Sequence, residues 1–239
     1  MTMANAKKVT LVCATTQRAD LFPRSTYLGR SLARVPDEIK PSLRLYPENS
    51  GARARGLGEL YNEAISELDN DEIVLLVHDD VYINDWCIIA RLNEAVAHYD
   101  VIGLAGSINP DLSQPSWGLA FDNELTTTGW QDNLRRSGVV NHFDYGYPTP
   151  TYYGPAPLQC RLLDGLFLAG KVGRWRETGA TFDPRFRFHL YDLDFCRTAE
   201  LAGLTLGTWP ISVTHDSRGG FDSLAFRETA GSYLEKWAK

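Results

Sequence analysis

The segment that most restricts the fold is Ile73–Val77, five consecutive branched apolar residues that end without transition in His78-Asp79-Asp80. A run of this length without polar alternation predicts a strand buried on both faces. Such strands belong to largely parallel sheets covered by helices on both sides. The rest of the first 105 residues supports that reading. Val9–Ala14 (VTLVCA) is a second apolar strand, and residues 43–46 and 101–105 read as two more. Between them lie helical patterns. Residues 31–35 form a short one ended by Pro36. Residues 57–68 carry Leu57, Leu60, Tyr61, Ala64 and Leu68 on one stripe, and residues 86–99 carry Ile88, Ile89, Leu92 and Val96. Alternation of strand and helix predicts an α/β fold. At 239 residues the chain is read as one domain with elaborations.

The polar end of the central strand carries the chemistry. In open parallel sheets ligands bind beyond the carboxyl ends of the strands, where His78-Asp79-Asp80 stands. Alternation puts His78 and Asp80 on one face and Asp79 on the other. Two carboxylates about 4 Å apart at an effective dielectric of about 20 repel by about 4 kcal/mol. A cation, a base or full solvation must relieve this. A carboxylate oxygen suits Mg²⁺ or Mn²⁺, and a nearby imidazole tilts the choice towards Mn²⁺. A solvated turn after a strand is the alternative, and these residues alone leave both open.

The second half is organised differently. Residues 109–157 are rich in Pro, Gly, Trp and Tyr and read as loops with short antiparallel strands. So long an irregular stretch in a compact domain is usually functional. Strand character returns over residues 158–163 and 165–169. A helix spans residues 191–202, closed by Gly203. Two strands, 204–208 and 211–214, flank Pro210, and a polar tail ends in a short helix at 224–236. Asp192 and Asp194 open the 191–202 helix. Asp194 has Arg197 three residues on, which predicts a surface ion pair. Asp192 shares its face with Cys196 and Ala199, so it is either a first-turn acid favoured by the helix dipole or a general base in a cleft. His215-Asp216-Ser217 follows the last strand.

The net charge of −6, with no basic patch, argues against nucleic-acid partners. Cys13, Cys87, Cys160 and Cys196 have no paired spacing and read as free thiols in a reducing compartment. Residues 1–8 are polar and lack the apolar core of a signal peptide, and no apolar run reaches the roughly 20 residues of a transmembrane span. The expected location is cytoplasmic, at most peripheral to a membrane.

Taken together, residues 9–220 resemble the nucleotide-sugar-dependent glycosyltransferases of the GT-A fold, family 2-like members. The stretch ELYNEAISELDNDEIVLLVHDDVYI is similar to that family's helix, strand and Asp-x-Asp segment. His78 stands where the first Asp is usual, which resembles a subgroup with His in that place, and Asp80 matches the second. LLDGLFLAG (residues 162–170) resembles the acceptor-side segment. FDPRFRFHLYDLDFCRTAELAG resembles the segment ending in a Glu-Asp motif, with Tyr191 in place of Glu and Asp192 matching the Asp. ISVTHDS resembles the last strand, where a His completes the metal site.

The resemblance implies a single GT-A-type (Rossmann-like) domain, with a mostly parallel central sheet, flanking helices and a smaller antiparallel acceptor-side portion. Residues 8–106 would form the nucleotide-binding half, 107–220 the acceptor-side half and 221–239 a tail. It implies transfer of a sugar from a nucleotide-diphosphate sugar, a UDP-sugar favoured, to a glycan or other hydroxyl acceptor, inverting and dependent on Mn²⁺ or Mg²⁺. Asp192 would be the catalytic base, and Asp80 and His215 the metal ligands. Thr15, Thr16, Glu48, Asn49, Asn62, His78, Asp79, Asp164 and Gly165 would contact the nucleotide sugar. Arg53 and Arg55, in the loop over residues 51–58, are weaker phosphate candidates. Trp117, Trp130, Tyr145, Tyr152 and Tyr153 either stack on sugar rings or pack within the protein. Two other readings stand beside this one. His78 and Tyr191, as departures from the family pattern, would suit a binding module without turnover. Asp and His at strand ends also suit a metal-dependent phosphoesterase, although five histidines supply few ligands for it.

Overall fold

A computed structural model of the chain describes residues 6–144, 146–216, 221 and 223–237. Ile73–Val77 is buried along its whole length. Val74 and Leu76 enter one apolar cluster, whereas Ile73, Leu75 and Val77 enter another on the opposite face. Each such side chain contributes roughly 1.5–3 kcal/mol of burial free energy. The strand sits inside a seven-stranded sheet, parallel to Val9–Ala14 and antiparallel to Phe167–Lys171. Ser42–Tyr46 closes one edge, parallel to Val9–Ala14. On the other side, Val101–Gly103 and Leu206–Thr208 pair in parallel, with Gln159–Cys160 at the far edge. The sheet is thus α/β in character, with Phe167–Lys171 antiparallel between its two parallel groups and Gln159–Cys160 antiparallel at the edge.

A second, six-stranded sheet carries Leu162–Leu163, Ala105–Ser107, Arg136–Asp144, Val213–His215 and Val81–Ile83 in that order, with Tyr147–Gly154 paired to Arg136–Asp144. The expected strand over 101–105 is in fact two strands, one in each sheet, joined at the buried Leu104. The middle of the chain is also more regular than its composition predicts. Arg136–Asp144 and Tyr147–Gly154 form a long antiparallel hairpin. Pro148 and Pro150 lie in the outer strand of that hairpin, where a missing N–H faces no partner strand.

Helix Leu57–Glu67 buries Leu60, Tyr61, Ala64 and Ile65 against the sheet. Helix Tyr191–Leu201 buries Leu193, Phe195, Cys196 and Ala199 and is followed by Gly203 at φ +79°, a left-handed position suited to glycine. The expected helix over 86–99 is regular only over Ile88–Ala95. The short helix expected over 31–35 lies earlier, at Tyr27–Leu32. Val172–Thr178 is a helix that the sequence pattern does not announce.

The C-terminal segment is a structural part of the core. Helix Leu224–Trp237 buries Phe226, Ala230 and Tyr233. Its end also overturns one sequence expectation: Asp194 makes no surface pair with Arg197. Its side chain is fully buried and meets Lys236 Nζ at 2.6 Å, while Trp237 Nε1 donates to it at 2.9 Å. Lys236 bridges on to Asp183 at 2.9 Å. Arg197 instead donates to the Leu112 carbonyl and stacks over the Trp237 ring. Removing the cation leaves a buried carboxylate unpaired. Lys236→Met is therefore expected to cost about 3 kcal/mol or more, roughly 6 °C or more in melting temperature by calorimetry. An unchanged melting temperature would show that Asp194 needs no partner.

Candidate active site

The site forms where the chain crosses between the two sheets. It leaves the larger sheet at Val77 and enters the smaller one at Val81, so His78-Asp79-Asp80 spans the seam. The strand Val213–His215 pairs antiparallel with Val81–Ile83, placing His215 opposite Val81, and Asp216 N donates to the Asp80 carbonyl. Asp164 and Gly165 lie on a second crossing, between Leu162–Leu163 and Phe167–Lys171. The two crossings are joined by His78 N donating to the Leu166 carbonyl.

The alternation argument holds at the triplet. Asp79 turns away, and its Oδ2 accepts from Thr15 Oγ1 at 2.6 Å. His78 and Asp80 face His215, with His215 Nε2 at 3.4 Å and His78 Nδ1 at 4.0 Å from Asp80 Oδ1. One ligand atom from each of the three residues lies within 4.8 Å of the others. Both Asp80 Oδ1 and His215 Nε2 are buried without a hydrogen-bond partner among the described residues, so their 3.4 Å approach is an electrostatic contact. Burial opposes the charge on Asp80, but the facing His215 outweighs it and holds the carboxyl below its usual range. Burial likewise opposes charge on His215, and Asp80 overcomes it and raises the imidazole. At His78 burial prevails and the ring is pushed towards its neutral form. Two orphaned buried polar atoms beside a third ligand atom form a donor set of one carboxylate and two imidazoles. That set fits a divalent cation such as Mn²⁺.

The cleft over this seam has a volume of about 850 Å³. Asp192 projects into it from the first turn of its helix. Leu190, immediately before that helix, holds φ +60°. A bulky residue in the left-handed region is strained, and such strain clusters at functional sites. Asp192 Oδ2 accepts from Gly165 N at 2.8 Å. Gly165 has no room for a side chain: a Cβ there would lie 2.6 Å from the Tyr191 hydroxyl oxygen and 2.7 Å from Asp192 Cβ. Burial, and then the charge of Asp164, push the Asp192 carboxyl up to about 7. Asp164 is already engaged at both oxygens, accepting from Trp117 Nε1 and from Leu166 N.

Of the residues assigned from the sequence, His78, Asp164, Gly165, Asp192 and His215 line this cleft. Asp80 stands beside them through its contacts with His78 and His215. Thr15, Thr16, Glu48, Asn49 and Asn62 are not among its lining residues. Thr15 and Asp79 are tied together on the far side of the triplet, and Asn49 N donates to the Thr15 carbonyl. Thr16 and Glu48 are exposed nearby, with Glu48 at φ +55°. The Asn62 amide clamps the backbone of Phe182 through both its N–H and its carbonyl. Arg55 is committed to Glu59 and Glu63, each at 2.7 Å, and Arg53 is exposed. Trp117, Trp130 and Tyr153 pack edge-on and tilted in one wall of the cleft, with Arg136 stacked over Trp130. Tyr152 points outward, 67% exposed, and Tyr145 lies outside the described residues. Sequence reasoning did not single out His142, Phe188, His189 or Phe226, which also line the cleft. Only their proximity in the fold reveals them.

No protein-family model matches the chain, and no curated protein matches it. Solved structures do. GalNAc-T7, in a complex with UDP, GalNAc and Mn²⁺, superposes with a TM-score of 0.56 at 11% identity, over 97% of this chain and 48% of that one. The catalytic domain of Drosophila beta1,4galactosyltransferase 7, in a complex with xylobiose, does so with a TM-score of 0.50 at 11% identity, over 94% of this chain and 80% of that one. The fold is of the GT-A type. This chain thus spans about half the length of the GalNAc-T7 chain. His78 of the seam lines the cleft together with Tyr191 and Asp192 of the first turn of the Tyr191–Leu201 helix.

The elevated Asp192 carboxyl has a consequence for stability. Its folded-state value lies above the unfolded one, so its contribution is fully present below the unfolded value and is lost as pH rises through about 7. Asn has no charge to desolvate. Asp192→Asn is expected to raise the melting temperature by several degrees at about pH 8 and to leave it unchanged at about pH 4. Coincident melting temperatures for the two proteins at both pH values would show that Asp192 ionises freely.

Proposed function

We propose that this protein transfers a glycosyl group from a nucleoside-diphosphate sugar, a UDP-sugar first among them, to a hydroxyl of a glycan or other acceptor, with inversion. One observation carries the reading: a carboxylate poised near neutrality and a carboxylate–imidazole cluster fit for a divalent cation share a single cleft of the GT-A fold. Sugar transfer with a diphosphate leaving group needs both a base and a counter-charge.

In the proposed step, Asp192 takes the proton from the acceptor hydroxyl. The acceptor oxygen forms its bond to the anomeric carbon as the bond from that carbon to the diphosphate oxygen breaks, and the electron pair leaves with the nucleotide. A divalent cation held by Asp80 and His215 would supply positive charge to the departing diphosphate. A group that titrates near 7 is well matched to taking a proton at neutral pH. The second cleft carboxylate, Asp164, accepts from Trp117 Nε1 and Leu166 N, and these bonds fix it in the cleft wall. The wall of Trp117, Trp130 and Tyr153 suits the apolar face of an acceptor sugar.

Two substitutions test the assignment. Asp192→Asn is expected to lower turnover of the cognate UDP-sugar by about 10²–10⁴-fold with nucleotide affinity kept. Full turnover in that variant would remove the base. Asp80→Ala is expected to abolish the Mn²⁺-dependent part of UDP binding in calorimetry. Unchanged binding would make Asp80 a turn residue. Nucleotide and free sugar released in equal amounts with no transfer product, across a panel of acceptors, would replace transfer by hydrolysis.

A further inference from the structure

His78 and Tyr191, the two departures from the family pattern, touch each other. His78 Nε2 lies 2.6 Å from the Tyr191 hydroxyl oxygen, although the residues are 113 positions apart in the chain. Tyr191 belongs to the helix that carries Asp192, and its ring is buried, with the edge of Tyr61 against it. The hydroxyl has a single proton. The hydroxyl oxygen also lies 3.0 Å from the Gly165 carbonyl, a group that can only accept. With the proton donated there, the Tyr191 oxygen is the acceptor towards His78, and the proton in the 2.6 Å contact is the one on His78 Nε2. In a neutral imidazole the other nitrogen, Nδ1, then carries the lone pair. Nδ1 is the atom that stands 4.0 Å from Asp80 Oδ1, and the His78 and His215 ring centroids are 6.2 Å apart.

We propose that Tyr191 is a positioning residue: by accepting from His78 Nε2 it fixes the tautomer and ring orientation that make His78 Nδ1 the third ligand, with Asp80 and His215, of a divalent transition-metal cation. Ligands about 2.0–2.2 Å from a shared ion are separated by about 3–4.4 Å; the separations to Asp80 are 3.4 and 4.0 Å, and all three ligand atoms lie within 4.8 Å of one another. The donor set also predicts a preference. Two imidazoles and one carboxylate favour Mn²⁺, Co²⁺ or Zn²⁺ over Mg²⁺, which prefers oxygen ligands and retains its water. An outer-shell partner of a ligating histidine typically contributes 10–100-fold to metal affinity.

The inference deepens the sugar-transfer reading, but its test does not pass through turnover. Metal binding is measured on the full chain without nucleotide, by calorimetry with MnCl₂ and MgCl₂ and by nitrogen-15 NMR of the histidine rings. The metal-free protein should show His78 protonated at Nε2 and bare at Nδ1, and addition of ZnCl₂ should shift the Nδ1 resonance. Mn²⁺ should bind at least about tenfold more tightly than Mg²⁺. Tyr191→Phe, with its fold checked by circular dichroism, should weaken Mn²⁺ about 10–100-fold and leave the His78 ring a mixture of tautomers. A proton found on Nδ1 in the wild-type protein, a His78 ring indifferent to Zn²⁺, or unchanged Mn²⁺ affinity in Tyr191→Phe would overturn the proposal. Should Tyr191→Phe fail to fold, the ring spectra of the wild-type protein still decide it. A metal-binding protein that turns over no nucleotide sugar would defeat the transferase reading and leave this inference standing.

Discussion

The chain passes repeatedly from one sheet to the other without a long loop, and His78, Asp80, Asp164 and Gly165 of the candidate site lie at those passages. Residues 78–80, 104, 161 and 164–166 each link a strand of the larger sheet to one of the smaller. At a passage the ladder of strand hydrogen bonds is interrupted, so buried backbone groups must find other partners. They find one another: His78 N donates to Leu166 O, and Asp164 N to Ala105 O. His78 and Asp164 reach the cleft from these passages. Rigid placement is what a metal or a reacting group requires.

The electrostatics of the seam follow from this geometry. Asp80 is held between two imidazoles and stays ionised despite burial. Asp192, which lines the same cleft, meets the low polarity of its surroundings and the charge of Asp164. The two carboxylates are pushed in opposite directions by their neighbours. That separation of roles is how one cleft can hold a charge-binding carboxylate and a proton-accepting one together. The N-terminus of the Tyr191–Leu201 helix favours negative charge at Asp192, but burial outweighs it.

What the sequence reveals about the fold depends on how locally each element is determined. Val9–Ala14 and Ile73–Val77 are legible residue by residue, because a short unbroken apolar run has few other places to go. The Arg136–Asp144 and Tyr147–Gly154 hairpin is not, since Pro148 and Pro150 read as loop signals until the strand is known to be an edge. Val172–Thr178 is short and follows directly on a strand, so its periodicity is too brief to register. At the site, the alternation of His78, Asp79 and Asp80 is a local property and was legible. The partner of Asp194 was not. Arg197 is near in sequence, while Lys236 reaches it only because the last helix folds back over the core. The Asn62 clamp on Phe182 is hidden for the same reason. Contacts between segments far apart in the sequence leave no local pattern.

One short stretch of backbone sets both sides of the cleft. Leu190 holds a left-handed conformation at a cost of roughly 1–2 kcal/mol, and its own side chain is buried in the core, which keeps the turn in place. The two residues that follow diverge by about 100° around the new helix. Tyr191 is sent to His78 and the Gly165 carbonyl, and Asp192 to the Gly165 N–H. Gly165 thus receives both side chains, one on each of its backbone polar groups, and has no Cβ to obstruct either. A shift of the helix start that moved Asp192 would also pull Tyr191 away from His78. The carboxylate of the proposed base and the histidine of the cation cluster are therefore placed by the same turn and the same glycine. Neither side of the cleft can be re-aimed without disturbing the other.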